Sequence, residues 1–318
     1  MAGTQRFGLF VIPPPRSQGG SNHSDALVDI VAVHGLLGDV FATWTYEDTK
    51  EKTFWLQDLL PQYMPSARIM SFGYDARITG TTSIARIRDN SKKLLADLLD
   101  KREDGAENRP LVFIGHSLGG IIIKQAIRFA RNVKLYESIA DATYGVVSYH
   151  PPKTGNYSNR FKMFFATPHR GADLEFWARV TSNIAGACSP NFRQGLLIGP
   201  MRKNSKDLRD VAEDFLPLAN DLGIVSFFEE DEVEWLKSVV VEKFSALMEI
   251  PHEQGLCMSG DHLSLCRFSK DDGRFETVVR RIRRLVNESP KGISTNVSLS
   301  EALALSCLLT ATNTRSRA

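Results

Sequence analysis

Apolar and polar positions follow two periods along the chain. Leu27–Val33 (LVDIVAV), Arg68–Phe72 (RIMSF) and Leu111–Ile114 (LVFI) are short, mostly apolar runs of strand length. Phe164-Phe165-Ala166 ends a further strand, and Ile224–Phe228 and Val239–Val241 read as two more. Between them the apolar spacing turns helical. Residues 53–60 carry Trp55, Leu56, Leu59 and Leu60 on one side, and residues 83–99 carry Ile84, Ile87, Leu94, Leu95 and Leu98. Helices are also expected at 119–132, 173–185, 205–215 and 274–286. Strands alternating with helices predict an α/β fold, a mostly parallel sheet with helices on both faces. The polar stretch at 13–25 makes residues 1–26 an N-terminal strand and polar loop. Residues 27–287 then form one domain, and 288–318, small and polar, a tail.

Composition narrows the classes. The 318 residues carry 39 Lys+Arg against 37 Asp+Glu, a net charge of +2. This near-neutral balance gives no electrostatic case for nucleic acid as a partner. A hydrophobic content of 42% is too high for a mainly disordered chain. No apolar run approaches the roughly 20 residues that span a bilayer, and the N-terminus lacks a signal-peptide layout. The four cysteines have no paired spacing and suit a reducing compartment.

The chemistry begins at Gly115-His116-Ser117-Leu118-Gly119, a match to G-x-S-x-G. In a chain with 23 glycines the pattern alone is weak, but here it joins an apolar strand to an apolar helix, the setting the motif requires. A nucleophile on so sharp a turn needs glycines two residues to either side, where a Cβ would strike the neighbouring strand or helix. Ser117 is therefore the candidate nucleophile, with the Leu118 N–H as oxyanion donor. The second donor is expected in the loop His34-Gly35-Leu36-Leu37-Gly38, at the Leu36 N–H, with His34 bracing that loop. A glycine-rich strand–helix turn without chemistry is the plain alternative.

The base should come late in the chain. His262, in a polar loop between the last strand and the last helix, is preferred to His252. His116 is too close to Ser117 in the turn to serve, and Asp261 is read as holding the His262 loop. The orienting acid should follow a strand between them. Ile224–Phe228 runs into Glu229-Glu230-Asp231-Glu232, which nominates Glu229, with Glu230 and Asp173 as alternatives; a solvated loop is the competing reading of this run. Such chemistry needs no metal and no cofactor.

The ordered blocks VHGLLGD…TW, FGYDA, IGHSLGG, FFATPHRGAD, SFFE and DHLSLCRF, over roughly residues 27–286, resemble the putative serine esterase (lipase-like) family. This family includes serine-active-site-containing proteins of mitochondria and endoplasmic reticulum, and the hydrolase domain at the front of fungal NACHT-type proteins. The resemblance implies an α/β-hydrolase fold and a Ser/acid/His triad, with the nucleophile at Ser117, the base at His262 and the acid at Glu229. It sets His169 near the mouth of the site in a pocket-shaping role. It also implies an intracellular protein, cytoplasmic or peripheral on mitochondrion or endoplasmic reticulum.

Two departures from the family pattern stand out. Leu263 occupies the place of a small alcohol after Asp-His, with Ser264 next. The strand TYGV…MFFATPH is split by residues 147–162, whose first codons can read GTAAGT, a common intron start. A retained intron and a surface loop are both open readings, and the transcript sequence decides between them. In 171–222, Leu174, Phe176, Trp177, Val180 and Ile184 recur at helical spacing, as a cap over an apolar pocket or as residues packed on the sheet. Arg280, Arg281, Arg283 and Arg284 on the last helix read as a solvated face or as a peripheral contact with anionic lipid. The tail resembles the linker toward a NACHT module.

The leading function is therefore a serine hydrolase of carboxylic esters, with a small-molecule or lipid ester as substrate. An acyltransferase or thioesterase would use the same site. A regulatory or interaction domain of low activity is the alternative from another class.

Overall fold

The computed structural model describes residues 7–15, 26–76, 85–103, 105–144, 161–171, 174–188, 198–220 and 222–287. In chain order these form β1 (Gly8–Val11), β2 (Val28–Val33), β3 (Thr45–Glu47), β4 (Lys52–Phe54), α1 (Trp55–Asp58), α2 (Leu60–Tyr63) and β5 (Ala67–Gly73). Then come α3 (Ala85–Arg102), β6 (Leu111–His116), α4 (Leu118–Asn132), α5 (Glu137–Tyr144), β7 (Phe161–Phe165), α6 (Leu174–Cys188) and α7 (Ile198–Ala219). Last are β8 (Gly223–Glu229), α8 (Lys243–Ala246), β9 (Glu253–Met258) and α9 (Gly273–Asn287).

Seven strands form one sheet in the order β1-β5-β2-β6-β7-β8-β9. Only β1 runs antiparallel to its neighbour; the remaining neighbours are parallel. This is the α/β-hydrolase fold. The sheet is buried on both faces, and strand residues alternate between two cores. Val31, Val33, Leu111, Phe113, Phe164 and Ile224 pack with α3, α4, α5 and α7. Ile30, Ala32, Val112, Ile114, Met163, Phe165, Val225 and Phe227 pack with α1, α2 and α9. On that second face Trp55 meets Trp44, Phe268 and Phe275 at centroid distances of 5.5–5.9 Å. Its indole N–H donates to the Cys266 carbonyl at 2.9 Å, tying the early chain to the loop before α9.

A buried charge cluster locks the other end of β2. The fully buried Asp29 carboxylate accepts two 2.8 Å hydrogen bonds from Arg68 on β5. It also accepts from Arg102 at the end of α3 and from Arg109 before β6. Removing one partner of a buried ion network leaves the rest uncompensated. Asp29→Asn is therefore expected to cost about 3–5 kcal/mol of stability, measured by urea unfolding. A loss below about 1 kcal/mol would show that the arginines find solvent instead.

The sequence reading needs four corrections. The helix expected at 53–60 is a short strand followed by two single-turn helices, with Pro61 near the start of the second. Val239–Val241 is not a strand; its amides serve another purpose described below. Strand β9 was not anticipated, because as a sheet edge it is only partly buried and its period is weak. Thr143 and Tyr144 end helix α5, so they do not begin the strand that continues at Met163. Within the segment 147–162, Phe161 and Lys162 lie in β7. Residues 145–160, and the tail 288–318, lie outside the described residues.

Candidate active site

The sharp turn after β6 leaves Ser117 at φ 52°, ψ −127°, a conformation that costs a non-glycine residue about 1–3 kcal/mol. Its surroundings hold it there. The Ser117 N–H donates to the Phe165 carbonyl at 2.9 Å, and the Ser117 carbonyl accepts from Gly120 N–H and from Thr167 Oγ1. The turn has no room for side chains beside it. A Cβ on Gly119 would lie 2.2 Å from the Val33 carbonyl oxygen, and one on Gly115 would lie 2.8 Å from Gly120 Cα.

Three of the nominated residues meet in one chain of hydrogen bonds. Ser117 Oγ lies 3.0 Å from His262 Nε2, and His262 Nδ1 lies 2.7 Å from Glu229 Oε1. Ser117 and His262 are fully buried and Glu229 nearly so. Glu229 is the last residue of β8, where the strand fixes its direction. Its carboxylate also accepts the Val240 N–H at 2.8 Å and the Val241 N–H at 3.0 Å. This explains why residues 239–241 leave the sheet: amides committed to a strand ladder would not reach the carboxylate.

The His262 loop is built on Asp261. Its Oδ1 accepts from Leu263 N–H, Ser264 N–H and Ser264 Oγ–H, at 2.7–3.1 Å. Ser264, one place beyond the position where the family has its small alcohol, thus closes the turn. His116 contributes from the nucleophile turn. Its Nε2–H donates to the His262 carbonyl at 2.8 Å, and burial keeps the ring neutral by pushing its pKa well below the usual value. No sequence signal announced this role, nor that of Val240 and Val241, because all three depend on contacts between distant segments.

The loop after β2 is equally fixed. His34 stacks on Tyr74 with centroids 4.3 Å apart and donates through Nδ1–H to the Gly35 carbonyl. Its Nε2 accepts the Tyr74 N–H, and Tyr74 O–H donates to the His34 carbonyl. Burial lowers the His34 pKa to about 4, so the ring is neutral and able to accept. A Cβ on Gly35 would fall 2.8 Å from Ser117 Cβ, which puts the Leu36 backbone directly after the point of contact with the nucleophile turn. Leu36 and Leu118 pack in a third apolar cluster with Ala178, Ile184, Ala185 and Phe228. One face of helix α6 thus shares an apolar cluster with the residues beside the Ser117 turn, while its Trp177 joins the core with α7.

The other candidates lie elsewhere. Glu230 is exposed and accepts from Ser259 Oγ–H, not from His262. His252 is exposed in the turn before β9. Asp173 lies outside the described residues. His169 is buried, edge-on to Phe164 at 4.8 Å, and faces a cavity between α6 and α7.

The family described as "Putative serine esterase" matches residues 23–180. Over those residues the sequence resembles this family. Protein SERAC1 of Danio rerio is 27% identical over 267 residues, covering 77% of this chain and 37% of its own length. Protein SERAC1 of Homo sapiens is 26% identical, covering 77% of this chain and 36% of its own length. The chain thus spans little more than a third of the relatives it matches. Among solved structures, a monoacylglycerol lipase of Paleococcus ferrophilus is similar, with TM-score 0.45 and 14% identity over 90% of this chain and all of that one. MenH from S. aureus has TM-score 0.46 and 10% identity over 89% and 100%. Among the described residues no helix is long and apolar enough to cross a membrane.

Proposed function

We propose that this chain is a serine esterase that hydrolyses carboxylic esters of apolar acyl groups through an acyl-enzyme on Ser117. The reading rests on one observation, the unbroken hydrogen-bond chain from Ser117 Oγ through the His262 ring to Glu229. In this mechanism His262 Nε2 takes the Ser117 proton as Oγ attacks the ester carbonyl. The Leu36 and Leu118 N–H groups stabilise the oxyanion. His262 returns the proton to the leaving alcohol, which departs as the acyl-enzyme forms. Water, deprotonated by His262 as it attacks the acyl carbonyl, then displaces Ser117 Oγ, which takes that proton from His262 as the acid is released. Glu229 keeps Nδ1–H as the donor and stabilises the imidazolium. The apolar surface of α6, Leu36 and Leu118 favours a lipid or other acyl ester over a polar one. Because Ser117 is fully buried, turnover requires a covering segment to shift, and α6, which shares an apolar cluster with Leu36 and Leu118, is the candidate cap.

The same burial favours a second reading, a regulatory domain of low turnover that retains the hydrolase fold. A fluorophosphonate probe and a panel of esters of graded chain length separate the two. The enzyme reading expects labelling of wild type but not of Ser117→Ala, and faster turnover of acyl esters than of short polar ones. Folded wild type that takes no label and turns over no ester defeats it. Transfer of the acyl group to an added alcohol or thiol faster than to water would move the activity to an acyltransferase.

A further inference from the structure

Between α6 and α7 lies a cavity of about 250 Å³, lined on one side by His169, Gly171 and Trp177 and on the other by Arg209, Glu213 and Leu216. None of Ser117, Glu229, His262, Leu36 or Leu118 lines it. Gly171 keeps it open: a Cβ there would sit 2.3 Å from Phe176 Cδ1 and 2.7 Å from Trp177 Nε1.

The walls hold a surplus of donors. His169 is 1% exposed and Trp177 0%. Neither ring nitrogen of His169, nor Trp177 Nε1, nor Arg209 Nε has a hydrogen-bond partner among the described residues. Lys124 shares the Phe164 ring with His169 and is fully buried, its Nζ also without a hydrogen-bond partner among the described residues. Desolvation lowers the Lys124 pKa to about 7, and burial with the Lys124 and Arg170 charges keeps His169 neutral. A neutral His169 offers one donor and one acceptor, so the wall side presents several unused donors against a single ring acceptor. Arg209 is only loosely held, 3.6 Å from Glu213 and 3.7 Å from Asp210. Arg170 is already committed to the Phe244 carbonyl and Glu249. The one carboxylate of the lining, Glu213, stands on the Arg209 side. Unpaired buried donors are costly, and a group that only accepts would satisfy them together.

We propose that this cavity binds a monocarboxylate with a short apolar tail, its carboxylate held between His169 and Trp177 on one wall and Arg209 on the other, and its tail along Ala212 and Leu216. At roughly 30 Å³ per water-sized group the volume takes about eight non-hydrogen atoms, the size of hexanoate. The site is independent of Ser117 chemistry.

The test uses the whole chain with ¹⁵N-labelled tryptophan. The Trp177 indole resonance is identified by its loss in Trp177→Phe. Millimolar hexanoate is expected to shift it saturably, hexanol to leave it in place, and Arg209→Gln to weaken the hexanoate affinity about tenfold. Protein with Ser117 blocked by fluorophosphonate should bind hexanoate equally. The proposal falls if hexanoate gives no saturable shift, which would leave a cavity for water alone. It falls also if hexanol acts like hexanoate, if Arg209→Gln has no effect, or if blocking Ser117 removes binding, which would make the cavity the acyl end of the active site.

Discussion

Ser117→Ala is expected to lower kcat for ester hydrolysis by about 10⁶-fold, and His262→Ala added to it should remove almost nothing more. In the proposed mechanism, attack by Oγ and proton transfer to Nε2 are one event across the 3.0 Å hydrogen bond, so losing either partner would lose both. His262→Ala alone should cost at least about 10³-fold, the remaining rate coming from the oxyanion donors and binding. Alanine keeps the Cβ against which Gly35 packs, so the turn should survive the substitution. Steady-state rates on one ester, with thermal unfolding as the control for folding, make the measurement. Two single losses that multiply in the double variant would mean that the residues act separately. Near-normal activity in His262→Ala would transfer the base to another histidine, with His252 or His169 first in question.

The second large effect is at the acid. Glu229→Gln should lower kcat by about 10⁴-fold while leaving substrate binding nearly unchanged. The amide can donate to Nδ1 and so favours the tautomer in which Nε2 already carries a proton and cannot take one from Ser117. A glutamine also cannot accept at both ends, so either Val240 or Val241 N–H loses its acceptor, at about 1–3 kcal/mol of stability. Glu230→Gln is the matched control: its side chain is exposed on Ser259 and its rate should stay close to wild type. Equal losses in the two variants would remove Glu229 from the mechanism.

These expectations draw unequally on sequence and fold. The buried strands β2, β5, β6 and β8 and the long helices α3, α4, α6 and α9 were legible because burial writes a period of 2 or 3.6 into the residues themselves. Strand β9 was not, since an edge strand buries too little to carry a period. The run 239–241 was misread because three apolar residues look the same in a strand and in a loop whose amides face a carboxylate. Lys162 shows the reverse failure: it was counted in the segment that splits the strand, yet it lies fully buried in β7 with its pKa lowered to about 7. Excision of residues 147–162 would put Val146 at that register, which gives the transcript sequence a structural stake.

The sequence by itself determined the turn. G-x-S-x-G between an apolar strand and an apolar helix is a local steric requirement, and local requirements are written in adjacent residues. It also ordered the candidates, with an acid at a strand end and a histidine in a late loop. Only the tertiary structure decided which acid faces His262, because Glu229 and Glu230 differ by one residue and the strand pleat turns them to opposite sides. Tertiary structure alone also made His116 a support for the His262 backbone, buried Ser117 and left His169 at a separate cavity. Each of these depends on segments tens to more than a hundred residues apart, whose meeting is fixed by the packing of the whole sheet.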